Sequence, residues 1–234
     1  MRYFLALKGL FFLVILCIVT CSLSLAQKKK TVYLDTLERP VEFLQMLSIR
    51  NTGRYKWYTD DTDEKIRYQR CSPTSKEEFD SLVARTAYKL VISEKIGTLF
   101  TYFDFVDVDG KVYKKSDLQG KVLVINFWFV GCAPCMVEMP ELNQLYNNYK
   151  NNRQIVFLAL AKSSEAKVRR FLERKTFYYP AVSMTDEVRE EFRITAFPTN
   201  YVVDKNGMLT FATQGIGAGA VHLLKTHIAS TLEQ

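Results

Sequence analysis

The spacing of apolar positions changes character twice along the chain. Leu10 to Val19 is an unbroken apolar run. Residues 27 to 98 then mix Tyr, Arg, Lys and Asp, and Asn51 to Asp63 carries turn formers without clear periodicity. One element is legible in that stretch. Ser75 and Glu78 have capping-box spacing, and Phe79, Leu82, Val83, Ala87, Leu90 and Val91 fall on one helical face, predicting an amphipathic helix of about 17 residues. From Leu99 the pattern becomes regular. Tyr102 to Val108 alternates toward a turn at Asp109-Gly110, and Lys111 to Tyr113 resumes, which predicts a hairpin. Val122 to Phe129 is continuously apolar, as in a strand buried on both faces. A helix should follow to about Tyr149, then a buried strand over Ile155 to Ala161 and a helix over Ser164 to Lys175, with Val168, Phe171 and Leu172 inward. A short helix near Asp186 to Phe192 precedes strands over Thr199 to Val203 and Met208 to Thr213, joined by Asp204-Lys205-Asn206-Gly207, and a last helix runs from about Ala218 to Leu232.

The chain thus divides into residues 1–26, residues 27–98, which are partly helical and of unassigned role, and residues 99–234. In the last part, two parallel strands with their helices, then a hairpin and a closing helix, predict an α/β thioredoxin fold: a central mixed β-sheet flanked by helices, here with an N-terminal extension. At the other end, Arg2 and Lys8 precede the apolar run, and Ser24-Leu25-Ala26 follows it with small residues at the positions a signal peptidase reads. The segment reads as a signal peptide cut after Ala26. Two alternatives stand beside it. With its flanks the run approaches the ~20 residues of a membrane span, which would leave an uncut anchor. Lipoprotein processing at Cys21 is the other, although Thr20 stands where a smaller residue is expected.

Loss of that segment would lower the formal net charge from +7 to +5, with 30 basic residues left against 25 acidic. The basic residues are scattered, and the one tight cluster, Lys28-Lys29-Lys30, is better read as a solvated start than as a nucleic-acid site. No nucleic-acid partner is expected. Of five cysteines, Cys17 and Cys21 would leave with the signal peptide, so Cys71, Cys132 and Cys135 remain. Three cysteines do not make a disulfide scaffold. Cys71 has no close partner and reads as a buried or incidental thiol, whereas Cys132 and Cys135 have Cys-x-x-Cys spacing.

That pair lies where a buried strand hands over to a helix, in Asn126-Phe127-Trp128-Phe129-Val130-Gly131-Cys132-Ala133-Pro134-Cys135. At a helix N-terminus, unpaired backbone N–H groups and the helix dipole favour an anion, so the Cys132 thiol should ionise below the ~8.5 of a free thiol. Cys135, one turn deeper and shielded, would resolve a mixed disulfide rather than start it. Pro134 sits in the first turn, where a missing N–H costs nothing. Two other readings compete. A zinc site would need further ligands, for which the chain offers Cys71, His222 and His227. A static disulfide of an exported protein is the second.

Leu118 to Pro140, with Asp109-Gly110-Lys111 before it and Phe197-Pro198-Thr199-Asn200-Tyr201 after it, resembles the thioredoxin-like proteins of the TlpA and ResA type. The resemblance covers about residues 100 to 234 and combines Asp117-Leu118-Gln119-Gly120-Lys121, the Asn-Phe-Trp strand, the cysteine pair and Glu138-x-Pro140. It implies a bacterial protein facing the periplasm or outer side of the inner membrane that keeps target disulfides reduced, fed by a membrane thiol electron donor. Cys132 matches the attacking cysteine, Cys135 the resolving one, Pro198 a cis-proline and Pro140 a helix-kinking proline. A cis bond there would turn the Phe197 backbone toward the disulfide, where an incoming peptide strand could pair with it. Glu138, three residues after Cys135 on the same helix face, is implied to handle the proton when Cys135 becomes a thiolate, in place of the strand acid that thioredoxin has and for which this chain has Asn126. A helix-surface glutamate without a role is the plain alternative. Gly131 departs from the pattern, since many relatives carry Trp there, and Trp128 remains as an aromatic candidate for substrate contact.

The resulting expectation is a thiol-disulfide oxidoreductase acting on protein disulfides through the redox-active Cys132–Cys135 pair, with no bound cofactor. Because Ala133-Pro134 carries no basic or strongly polar group to overstabilise the thiolate, reduction is favoured over oxidation. Two further readings remain open. A thiol peroxidase of the same fold would need a Thr close before the reactive cysteine, where this chain has Phe129-Val130-Gly131. An envelope binding or scaffold protein with an incidental redox centre would use residues 27–98 for recognition.

Overall fold

The computed structural model describes residues 29–63 and 65–234, so the signal-peptide reading lies outside the described residues. Numbered in chain order, the first elements are β1 (Lys30–Leu34), β2 (Pro40–Val41), α1 (Phe43–Asn51), β3 (Tyr55–Asp60) and β4 (Ile66–Pro73). Their strands form a sheet of order β2-β1-β4-β3, in which β1 runs parallel to β4 and the other pairs are antiparallel. The expectation of turn-rich chain over Asn51 to Asp63 is corrected here, because β3 lies within it. Its Tyr-Lys-Trp-Tyr-Thr-Asp sequence covers only part of one face, so the strand is half exposed and lacks a continuous apolar run.

Next comes α2 (Lys76–Leu90), capped as its sequence predicts: the Ser75 side chain accepts the Glu78 N–H at 3.2 Å, and the Glu78 carboxylate accepts the Ser75 N–H at 3.1 Å. Beyond it lie the hairpin β5 (Phe105–Val106) and β6 (Val112–Tyr113), then α3 (Lys115–Leu118), β7 (Val122–Trp128), α4 (Ala133–Tyr149), β8 (Ile155–Ala161) and α5 (Glu165–Leu172). The chain closes with β9 (Ala181–Ser183), α6 (Asp186–Glu191), β10 (Thr199–Val203), β11 (Leu209–Gln214) and α7 (Ala220–Leu232).

The five-stranded sheet has the order β11-β10-β7-β8-β9, with β7, β8 and β9 parallel, β10 antiparallel to β7, and β11 antiparallel to β10. This is the mixed sheet expected, with one strand more: β9, at three residues, is too short to show a period. Strand β7 is buried along its whole length because both faces are covered. Val122, Val124 and Trp128 join the core built with α4 and α7, whereas Leu123, Ile125 and Phe127 join a second core with Phe100, Phe105 and Phe192. Asn126 falls by the same alternation on the α4 face. The N-terminal elements pack on this unit, α1 against α4 and α2 against α7.

Candidate active site

Cys132 is the N-cap of α4, and its sulfur accepts the Cys135 N–H at 3.2 Å. The two cysteines are joined as a disulfide, their Cα atoms 5.3 Å apart. The placement follows from the local sequence: β7 ends at Trp128, Gly131 takes the left-handed backbone (φ 96°) that turns the chain, and Pro134 occupies the first helical turn. Cys132 is 3% exposed and Cys135 1%, so both sulfurs sit at the edge of the core, with Cys135 the deeper. Pro140 lies inside α4 on its exposed side.

Glu138 projects from the same helix, one turn past Cys135, into the core. It is 1% exposed, and among the described residues it meets two amides. Asn126 Nδ2 donates to its Oε1 at 2.8 Å, and Asn200 Nδ2 donates to Oε1 and Oε2 at 3.4 and 3.3 Å. Asn126 Nδ2 also donates to Asn200 Oδ1 at 2.9 Å. Burial pushes the Glu138 carboxyl up to about 8; the two amide hydrogen bonds favour its charged form but do not offset the desolvation, and the nearby charge of Glu141 adds to the rise. Glu141 is half-buried, its carboxyl raised to about 7 by burial, and it lines a cleft of about 590 Å³ between α1 and α4.

Asn200 and Tyr179 are members of this site that the sequence did not single out. The register of β10 on β7 sets Asn200 opposite Asn126, a pairing 74 residues apart in the chain. For Asn200 the sequence signals were its place in the Phe197-to-Tyr201 motif and a polar amide next to the apolar end of β10. The buried Tyr179 hydroxyl is held well above the ordinary phenol range, first by burial and then by the Glu138 charge.

Phe197 and Pro198 are joined by a cis peptide bond just before β10. Pro198 is buried, Phe197 is half-buried, and the Phe197 ring meets Phe129 edge-on at 5.4 Å. Phe129, two residues before Gly131, is 37% exposed. Trp128 requires correction as a substrate contact. It is 0% exposed and packs on Phe171 and Phe177, because the last residue of β7 points into the α4 core rather than out of it. The exposed aromatic surface beside the site is therefore that of Phe129 with Phe197. Cys71 lies apart in β4 as a buried free thiol, and His222 and His227 lie on α7 against Phe79 and Phe211.

A dithiol-disulfide pair at a helix start, with a protonatable carboxyl one turn behind it, can pass two electrons and manage the accompanying proton. Comparison with known proteins agrees with that chemistry. The AhpC/TSA family model matches residues 96–212, half of the chain. The thiol-disulfide oxidoreductase ResA of Geobacillus kaustophilus is 34% identical over 144 residues, covering 54% of this chain and 83% of its own. ResA of Geobacillus thermodenitrificans is 30% identical over 127 residues, covering 52% and 73%. Among solved structures, a thiol:disulfide interchange protein of the thioredoxin family from Chlorobium tepidum superposes with a TM-score of 0.52 at 25% identity, over 58% of this chain and 97% of its own. Motif, fold and relatives converge: the chain belongs to the AhpC/TSA family and is a thiol-disulfide oxidoreductase of thioredoxin fold.

Proposed function

We propose that the protein reduces disulfides of exported protein substrates, with Cys132 attacking, Cys135 resolving and Glu138 moving the proton. The observation that carries this is the vertical order along α4: Cys132 at the N-cap, Cys135 one turn in, Glu138 one turn further and buried. In the reduced enzyme the Cys132 thiolate attacks a substrate disulfide, forming the mixed disulfide and releasing one substrate thiolate. The Glu138 carboxylate takes the proton from Cys135, whose thiolate then attacks the Cys132 sulfur. The second substrate thiolate leaves, two electrons have passed to the substrate, and the protein holds the Cys132–Cys135 disulfide. When that disulfide is reduced again, Glu138 returns the proton to the Cys135 leaving group, so one carboxyl serves both half-reactions.

Reduction rather than oxidation is supported by the apolar Ala133-Pro134 pair between the cysteines. Export is supported by the pattern of residues 1–26, and a membrane thiol carrier would be the electron donor. Among the described residues no helix is long and apolar enough to cross a membrane. No bound cofactor is needed, since the reduced Cys132/Cys135 dithiol itself carries the two electrons.

The test is trapping. Cys135→Ala should stall at the mixed disulfide and accumulate covalent adducts with envelope proteins on non-reducing gels, and reductant should collapse them to one band. Cys132→Ala should accumulate few. The unaltered protein should accelerate insulin reduction, and Cys132→Ser should abolish that activity. Equal trapping by both alanine variants would overturn the assignment of roles.

A further inference from the structure

The surface directly against Gly131, the residue before Cys132, opens into a pocket of about 350 Å³. Val130, Met136 and Phe171 form its apolar wall. Its rim is cationic: Lys167 and Arg170 stand on α5, and Arg174 and Lys175 stand in the chain just after it. Residues 167, 170 and 171 are spaced i, i+3 and i+4, so α5 presents two cations and the Phe171 ring on one face. No acidic side chain lines the pocket. The neighbouring Arg169 is tied to Glu165 at 2.8 Å, whereas the four rim cations are exposed and, among the described residues, form no ion pair. Four like charges around one apolar hollow raise the positive potential there, which favours an anionic partner.

We propose that this pocket is a docking subsite for an acidic peptide segment flanking the target disulfide, with one apolar side chain on Met136 and Phe171 and carboxylates against Lys167, Arg170, Arg174 and Lys175. The inference rests on the reading that protein disulfides are the substrates, and it names which of them are preferred. Geometry favours a peptide over an anionic membrane. The pocket begins at the residue before the attacking sulfur, and an extended peptide advances about 3.3 Å per residue, so positions adjacent to a bound substrate cysteine reach it. A flat lipid surface would meet the cations but leave the concave apolar wall unfilled.

The experiment uses the reduced full-chain protein and three synthetic peptides with one internal disulfide, flanked by Glu-Leu-Glu, Gln-Leu-Gln or Lys-Leu-Lys. Second-order rate constants for their reduction are normalised, for each protein, to the rate with the uncharged hydroxyethyl disulfide. The acidic peptide should react at least about tenfold faster than the basic one at low salt, and the difference should shrink at high salt. The double variant R170E/R174E should invert the order, and Ser in place of the central Leu should slow the acidic peptide. A flat or reversed order in the unaltered protein would overturn the proposal while the hydroxyethyl disulfide reaction left the oxidoreductase reading intact. If no disulfide reacted, the underlying reading would fail with it. Binding to phosphatidylglycerol vesicles that R170E/R174E abolishes, alongside a flat peptide order, would assign the cations to a membrane surface and also overturn the proposal.

Discussion

A carboxyl buried behind a reactive disulfide has consequences for both rate and stability, and they run in opposite directions with pH. Glu138 holds its proton up to about pH 8, where an unfolded glutamate releases it near 4.5. The folded state therefore binds more protons between those values, and stability should fall as pH rises from about 4.5 to 8, then level off. The whole effect is bounded at roughly 4–5 kcal/mol. Glu138→Gln keeps a hydrogen-bond acceptor for Asn126 and Asn200 but cannot titrate, so denaturation midpoints of the variant should lose most of that slope. In the proposed role the rate moves the other way, since only the ionised Glu138 carboxylate could take the Cys135 proton. Turnover should rise with pH in the parent protein between about 6 and 9 and flatten in Glu138→Gln. An unchanged rate profile would reduce Glu138 to a structural acid.

Cys71 makes a contrasting case at the same scale. Its thiol is pushed above its ordinary range, first by burial and then by the Asp35 charge, so it is a poor nucleophile. Cys71→Ala should leave insulin reduction unchanged, and alkylation of the folded, oxidised protein should be slow until denaturant is added.

At the scale of elements, α2 is the one part of the N-terminal region whose local code is complete. Its cap satisfies two backbone donors reciprocally, and its partly buried face rests on α7. Ser75→Ala should cost about 1 kcal/mol of stability, read as a lower denaturation midpoint, with the rate of disulfide reduction unchanged. A change in rate would mean that α2 communicates with the disulfide. The helix α4 shows the limit of such local reading. Its start, its Pro134 and its length to Tyr149 follow from the sequence, yet the direction in which Glu138 points depends on β7 and β10 beneath it.

Over the whole molecule, the four-stranded and five-stranded sheets are joined through packed helices rather than through strand pairing. The Gly219 N–H donates to the Asn51 carbonyl at 2.8 Å, and the Thr86 hydroxyl donates to the Ala218 carbonyl at 2.7 Å, so the end of α1 and the inner face of α2 both meet the start of α7. Gly219 has φ 80°, and a Cβ there would stand 2.8 Å from the Val83 side chain. Gly219→Ala thus combines left-handed strain with a steric conflict and should destabilise the protein by about 1–3 kcal/mol. Limited proteolysis should then cut first within residues 29–92, while the cysteine pair keeps its reactivity. Cleavage spread evenly over the chain would show that the junction does not hold the N-terminal layer in place.

By itself, the sequence determined the parts whose physics is local. Each buried strand and amphipathic helix from Leu99 onward, the capping box of α2 and the Cys-x-x-Cys at the end of an apolar strand is written within fewer than twenty neighbouring residues. Tertiary structure decided whatever depends on register or on facing surfaces. Asn200 meets Glu138 because β10 pairs with β7 in one register, and Trp128 is turned into the core by the pleat of its strand. The sheet of residues 30–73 escaped the pattern because its half-exposed strands carry no continuous apolar run. The cations of residues 167–175 become a rim beside Cys132 because α5 turns Lys167 and Arg170 onto one face and the chain just after it brings Arg174 and Lys175 alongside, and only the docking of α5 against the sheet says what that face surrounds.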